Sequence, residues 1–312
     1  MFIKLPCKKY SLITASGFLL LWLMLLPVNL GADQEGSQSH SPDKAVFWAI
    51  EKEGNPAGYL LGTIHSEDPR VLDFSADFLQ KLRSNAKFAM EMVPDLPTLA
   101  RLTTYMNYPP GQTLESVIGP GRYEALIDAL AVYKVPANFV VRMKPWAAMM
   151  TLSTPPPQTG FFMDLSLSLR ASGSGLKVVG LETLEQQLSF LEDMPMPMQL
   201  NLLDQAIAEA GRVQQAHDDM VEAYLKNNLE LLVSLTDEEF ERVGVEASTY
   251  FLEAGIVKRN HRMLESLLPY LETGTVFTAV GAMHLPGEEG LLNLLRQNGF
   301  ELLPMEMPFS QE

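Results

Sequence analysis

Short apolar runs closed by Gly, Pro or Asn alternate along this chain with longer stretches whose apolar positions recur three and four apart. The first pattern predicts strands and the second predicts helices. "AVFWAIE" and "GYLLGTI", separated by "KEGNPA", predict two antiparallel strands, with the fold beginning near Ala45. "DFLQKLRSNA" predicts a helix, and "KFAMEMV" a buried strand closing at "PDLP", which puts Glu91 near a strand end. From Leu96 to about Leu152 the pattern is mainly helical, with Leu126, Ile127, Leu130 and Ala131 on one side. "TPPPQTGFF" breaks the chain as a stiff connector, "MDLSLSLRASGSG" returns as a helix, and "LKVVGLET" is a strand with Glu182 where the apolar run stops. Residues 197–268 are helical with interruptions near Asn227 and Gly244, and the chain finishes as strand, loop, helix, strand through "GTVFTAVGA", "MHLPGEEG", "LLNLLRQNG" and "FELLPME".

Two strand ends in this pattern carry the same spacing, Gly62-x-x-His65 and Gly281-x-x-His284. The unit after each one runs strand, His, acidic loop with Pro, helix, strand. The pattern therefore predicts an α/β fold whose mixed central sheet is built from two βαβ-type halves carrying the Gly-x-x-His motifs, related by a pseudo-twofold. A large helical insertion or cap, about 96–155 and 197–268, completes it. Glycine at the strand end admits a backbone turn closed to other residues and close approach of another group, and the His three positions on is aimed from the loop. Sites in open α/β sheets collect at strand exits.

The N-terminus differs from the rest. "MFIKLPCKKY" carries three lysines and precedes the uncharged run "SLITASGFLLLWLMLLPV", so residues 1–32 read as a secretory signal peptide, with an uncleaved single-span anchor as the alternative. This predicts an exported protein, periplasmic or secreted. Loss of Lys4, Lys8 and Lys9 moves the net charge from −15 to −18, which argues against nucleic acid and anionic membranes as partners. Residues 33–44, "DQEGSQSHSPDK", read as a polar linker, and residues 45–308 as one α/β domain with helical insertions. Cys7 is the only cysteine and lies in the signal segment, so a metal in the mature chain needs His, Asp or Glu ligands.

Two imidazoles at equivalent strand exits, with a carboxylate exit between them, form a donor set for a catalytic divalent ion that keeps positions open for water and substrate. His65, Glu91 and His284 are that set. Glu182 has two readings, a site residue or a carboxylate favoured by the dipole of the helix that follows it. His217 and His261 lie on charged helices and read as exposed, and His40 lies in the linker. The methionines of "DMPMPMQL" read as a flexible apolar loop or cap surface.

In their order along the chain, "LLGTIHSED", "FAMEMV", "KPW", "VVGLETLEQQ", "RNHRM" and "VGAMHLPGEEGLLNLLRQNGF" resemble the TraB/GumN family, which includes the Tiki proteins. The resemblance runs from about Ala45 to about Leu303. It implies an α/β fold related to the erythromycin-esterase and ChaN-like superfamily, with paired Gly-x-x-His motifs and a Glu in the site. The family pattern falls on Gly62 and His65, Glu91, Glu182 and Gln186, Arg259 and Asn260, and Gly281 and His284. The expected activity is a metal-dependent hydrolase, most plausibly a peptidase, with Mn²⁺ or Co²⁺ favoured and Zn²⁺ allowed. Glu182, or Glu91 if it is not a ligand, would be the general base; Arg259 would stabilise an oxyanion or bind a substrate carboxylate, and Asn260 would orient a ligand His. Arg262, one turn from Arg259, reads as solvated. Two alternatives keep the same residues: a metal-independent hydrolase of small esters, and a peptide-binding regulatory protein without catalysis.

Overall fold

The computed structural model of the chain describes residues 44–306 and Phe309. The signal segment and nearly all of the linker lie outside the described residues. Six strands, β1 (Phe47–Lys52), β2 (Asn55–Thr63), β3 (Lys87–Met90), β4 (Lys177–Gly180), β5 (Val276–Gly281) and β6 (Glu301–Pro304), form one mixed sheet in the order β4-β3-β5-β2-β1-β6. The hairpin of β1 and β2 turns at Glu53 and Gly54, both at positive φ (53° and 74°), as a two-residue turn matched to strand twist requires.

β4, β3, β5 and β2 are mutually parallel in sheet order, so their C-terminal ends share one edge. That edge carries His65, Glu91, Glu182 and His284. The two strand–helix–strand units interlock: the crossover from β2 to β3 spans β5, and the one from β5 to β6 spans β2 and β1. The mixed α/β sheet expected from the sequence holds, with its two strand–helix–strand units interlocked in it. Pairing β2 with β5 puts an entirely buried strand, "VFTAVG", at the sheet centre, where apolar side chains on both faces have cover. Phe277 of β5 lies 5.4–6.0 Å, centroid to centroid, from the rings of Phe47, Tyr59, Phe78 and Phe88. Each such ring pair adds about 0.5–1.5 kcal/mol beyond the area it buries.

A second apolar cluster is built by the helical insertion, with Leu102, Leu126, Trp146, Leu188, Leu203 and Phe251 among its buried members. "KPW" belongs to this packing. Lys144 and the Trp146 indole donate to the two oxygens of Glu192, at 2.6 and 2.9 Å. The methionine-rich segment is not a loop, because the helix Met196–Glu209 starts inside it and Met194 and Met198 are buried. The predicted interruptions hold: Asn227 and Gly244 both adopt positive φ between helices. Among the described residues no helix is long and apolar enough to cross a membrane.

Of the two reasons expected for the motif glycines, the turn is corrected and the close approach holds at Gly62. Neither Gly62 nor Gly281 has positive φ, so no special turn is involved. A Cβ on Gly62 would lie 2.7 Å from Leu285 Cδ1 and 2.9 Å from Ala282 Cα. Gly62 is therefore the seat on which the second Gly-x-x-His loop rests. Gly62→Ala is expected to lower Tm by about 3–10 °C, the consequence of overpacking by one methyl. Gly173, at a helix end with nothing within 4 Å of its Cβ position, should accept alanine without loss in the same thermal melt.

Candidate functional site

Arg259 sits at the centre of the strand-exit edge. It lies one residue into the helix Lys258–Thr273, directly after the π-helical segment Phe251–Val257, a departure from α-helix that often accompanies functional positions. Its guanidinium donates from Nε (2.9 Å) and Nη2 (2.7 Å) to Glu182 Oε2, and from Nη2 to Glu91 Oε2 at 2.6 Å. Nη1 reaches the Gly255 carbonyl at 3.5 Å. All three side chains are buried. Burial alone would lower the Arg259 pKa, but the two carboxylates outweigh it and hold the group charged.

Glu91 also accepts from Gln187 Nε2 at 3.1 Å on Oε2, and from the Gly281 amide at 2.8 Å on Oε1. Burial pushes its pKa up, against the pull of Arg259 and the Gly281 N–H. Glu182 is buried against Arg259 and is not a surface helix carboxylate. Arg262, expected to be solvated, reaches toward its Oε1 at 3.5 Å from a partly buried position.

Asn260, next on the helix, fixes His284. Its Nδ2 donates to the Glu289 carbonyl at 2.7 Å, which leaves Oδ1 as acceptor for His284 Nδ1–H at 2.6 Å. The tautomer follows: Nε2 carries a lone pair. That nitrogen is buried, has no hydrogen-bond partner, and faces Glu91 Oε1 at 3.8 Å. Burial and the nearby Arg259 charge keep the ring neutral, its pKa well below the usual value. Two acceptors thus face each other across a gap too long for a hydrogen bond.

His65 is held differently. Its ring stacks on Phe162 with centroids 3.6 Å apart and planes at 18°, and neither ring nitrogen has a hydrogen-bond partner. Burial, with a smaller contribution from His217, pushes its pKa down to about 3. His217 is thus a neighbour of the first motif, only 13% exposed and not solvated as its helix suggested. His261 is half exposed against Glu289.

The structure therefore joins Glu91, Glu182, Arg259 and Gly281 in one hydrogen-bonded network, sets the hydrogen-bonded pair Asn260–His284 beside it with Nε2 3.8 Å from Glu91 Oε1, and sets His65 at the neighbouring strand exit. Among the described residues no three His, Cys, Asp or Glu side chains converge at ligand spacing. The donor chemistry nonetheless fits a divalent ion: two neutral imidazoles with unpartnered nitrogens, one of them facing a carboxylate oxygen.

Two residues missed in the sequence complete the surroundings. Gln187, not Gln186, reaches Glu91; Gln186 instead accepts from the Thr183 N–H and closes a capping box at the start of the helix Leu184–Glu192. Asp164, in the first turn of the helix Met163–Gly173, accepts from Thr63 Oγ1 at 2.7 Å, and its Oδ2 is buried without a partner. Burial, reinforced by the Glu91 charge, pushes Asp164 up to about 7 against the Thr63 hydrogen bond. An acid in a first helical turn reads in sequence as a dipole partner, and only the fold shows it buried behind the first motif.

The chain is similar to known proteins over most of its length. The chain is 25% identical to the metalloprotease TIKI2 of Xenopus tropicalis over 91% of its own length and 64% of that protein. It is 24% identical to the metalloprotease TIKI1 of Danio rerio over 93% and 70%, and 25% identical to the metalloprotease TIKI homolog of Amphimedon queenslandica over 91% and 66%. The chain thus spans a little under two thirds of the length of the Xenopus relative. No solved structure matches. The sequence profile of the TraB/PrgY/gumN family matches residues 46–304, which include every strand and every residue of the network above, and the chain belongs to that family.

Proposed function

We propose that this chain is an exported metal-dependent hydrolase that cleaves peptide bonds. One observation carries the reading: the unpartnered lone pair of His284 Nε2 faces, at 3.8 Å, the carboxylate oxygen Glu91 Oε1, whose one hydrogen-bond donor among the described residues is the Gly281 amide. A proton on Glu91 would not bridge that distance, whereas a cation would. His65, Glu91 and His284 would hold the ion, Mn²⁺ or Co²⁺ for a nitrogen and oxygen donor set, with Zn²⁺ also accommodated. When bound, such an ion acidifies water and polarises a carbonyl. The relatives named metalloproteases support this reading, and the sequence's lysine-flanked apolar start supports export.

The chain's own residues divide the remaining work. Asn260 keeps the Nδ1 proton of His284 in place, so that Nε2 stays a donor of electrons. Arg259 holds Glu91 and Glu182 in place through its hydrogen bonds to both. Its bonds to both carboxylates make it a positioning residue for them, in place of the direct oxyanion contact expected from the sequence. Two carboxyl oxygens lack hydrogen-bond donors and are placed to take a proton, Glu182 Oε1 and Asp164 Oδ2.

A digest of a peptide library with and without Mn²⁺ or Co²⁺ tests the reading. Wild type should cleave only with metal, and His284→Ala should lose at least about 100-fold, the scale on which site residues of hydrolases contribute. Cleavage that survives chelation would favour metal-independent hydrolysis, and a biological effect preserved in His65→Ala and His284→Ala would favour a binding protein. Asn260→Ala should weaken metal affinity by about 10–100-fold, measured by competition with a chromophoric chelator.

Asp164 gives a pH test. Its folded pKa of about 7 lies above the ordinary 3.8, so its stabilising contribution is complete below the ordinary value and is lost as pH rises through about 7. Asp164→Asn, which keeps an acceptor for Thr63, should match wild type in urea unfolding at pH 4 and exceed it above pH 7.

A further inference from the structure

The candidate ligands are nearly closed to solvent: His65 is 9% exposed, Glu91 4% and His284 0%. His65 is the outermost, and one face of its ring is covered by Phe162. Phe162 lies flat on the imidazole, with centroids 3.6 Å apart, while both imidazole nitrogens remain without partners. A buried imidazole left unpaired is unfavourable, so this closed arrangement needs a restraint elsewhere.

The restraint is Glu67, two residues past His65 on the same loop. Its Oε2 accepts from the Thr159 amide at 2.6 Å, the Thr159 hydroxyl at 2.8 Å and the Gln158 amide at 3.2 Å, and its Oε1 from the Gly160 amide at 2.8 Å. These donors belong to the segment that leads into Phe162. On its N-terminal side the segment is stiffened by Pro155, Pro156 and Pro157, after the Thr154 carbonyl is held by Tyr133 Oη at 2.5 Å. Gly160, at φ 81°, supplies a position whose backbone can change freely. On the C-terminal side the helix Met163–Gly173 is fixed to the first motif by Met163 N–H to the Ser66 carbonyl at 3.2 Å and by Asp164 to Thr63. The segment is thus anchored at both ends, hinged between them, and held down by a carboxylate at the protein surface. Phe161, next to the closing ring, is 45% exposed.

We propose that residues 155–162 form a gate over the first Gly-x-x-His histidine, latched by the Glu67 carboxylate and closed by the Phe162 ring, so that a ligand reaches His65 only after the latch releases. Glu67 is a positioning residue that acts through Phe162. The gate concerns access to His65 and does not depend on the hydrolase reading.

Diethyl pyrocarbonate, which acylates an accessible neutral imidazole nitrogen, reads the gate directly when modification of each histidine is followed by peptide mapping of the full chain. In wild type, His65 should react far more slowly than the half-exposed His261. Glu67→Ala should speed His65 by about tenfold or more, the order expected when a hydrogen-bonded carboxylate that biases a two-state element is removed. His284 should stay unreactive, and Glu67→Gln, which retains an acceptor oxygen, should fall between. Phe162→Ala should expose His65 by itself, and adding Glu67→Ala to it should change nothing more. An unchanged His65 rate in Glu67→Ala, an equal rise at His65 and His284, or a further rise in the double variant would each overturn the proposal.

Discussion

One guanidinium sets the geometry of the strand-exit edge. Arg259 bonds two carboxylates that leave the sheet from different strands, Glu91 after β3 and Glu182 after β4, and so ties the helix Lys258–Thr273 to both. Its neighbour Asn260 ties the same helix to the loop after β5 through His284. A buried ion pair adds little net stability over an apolar substitute, but removing one partner leaves an uncompensated charge at a cost of about 3–5 kcal/mol. The network is therefore better understood as fixing positions than as holding the fold together. The fold is held by the apolar centre around Phe277 and by the insertion's own cluster.

Burial then determines the chemistry available. With water excluded, the imidazoles stay neutral, Glu91 is pushed upward and Asp164 titrates near neutrality. The same exclusion makes every unpaired lone pair unfavourable. His284 Nε2 carries one such lone pair, His65 carries another together with an unpaired N–H, and the two rings occupy the strand exits that the fold places side by side. A divalent ion would turn that disadvantage into ligation, which is why the donor set, and not the sheet itself, carries the functional reading.

Much of this was legible in the sequence because it depends on local pattern. The strand ends at Glu91, Glu182 and the two histidines follow from where apolar runs stop, and Asn227 and Gly244 mark breaks that only positive φ would need. The order of motifs supplied Arg259 and Asn260. What was hidden depends on pairing across the chain. Nothing local says that β5 inserts between β2 and β3, so the close approach expected at Gly62 could not be assigned to the loop after β5 that makes it. Gln187, Asp164 and His217 look like ordinary residues on amphipathic helices until the helices are docked. "KPW" and Gln186 carried family resemblance but serve packing and capping.

Whether the unpartnered imidazoles belong to one metal site is read most directly by Co²⁺ titration followed by electronic absorption. One Co²⁺ should bind per chain with a low-symmetry ligand-field spectrum, lost in His284→Ala and in His65→Ala although both variants remain folded. Absence of binding by the wild-type chain, or a spectrum unaffected by both substitutions, would contradict a single shared site.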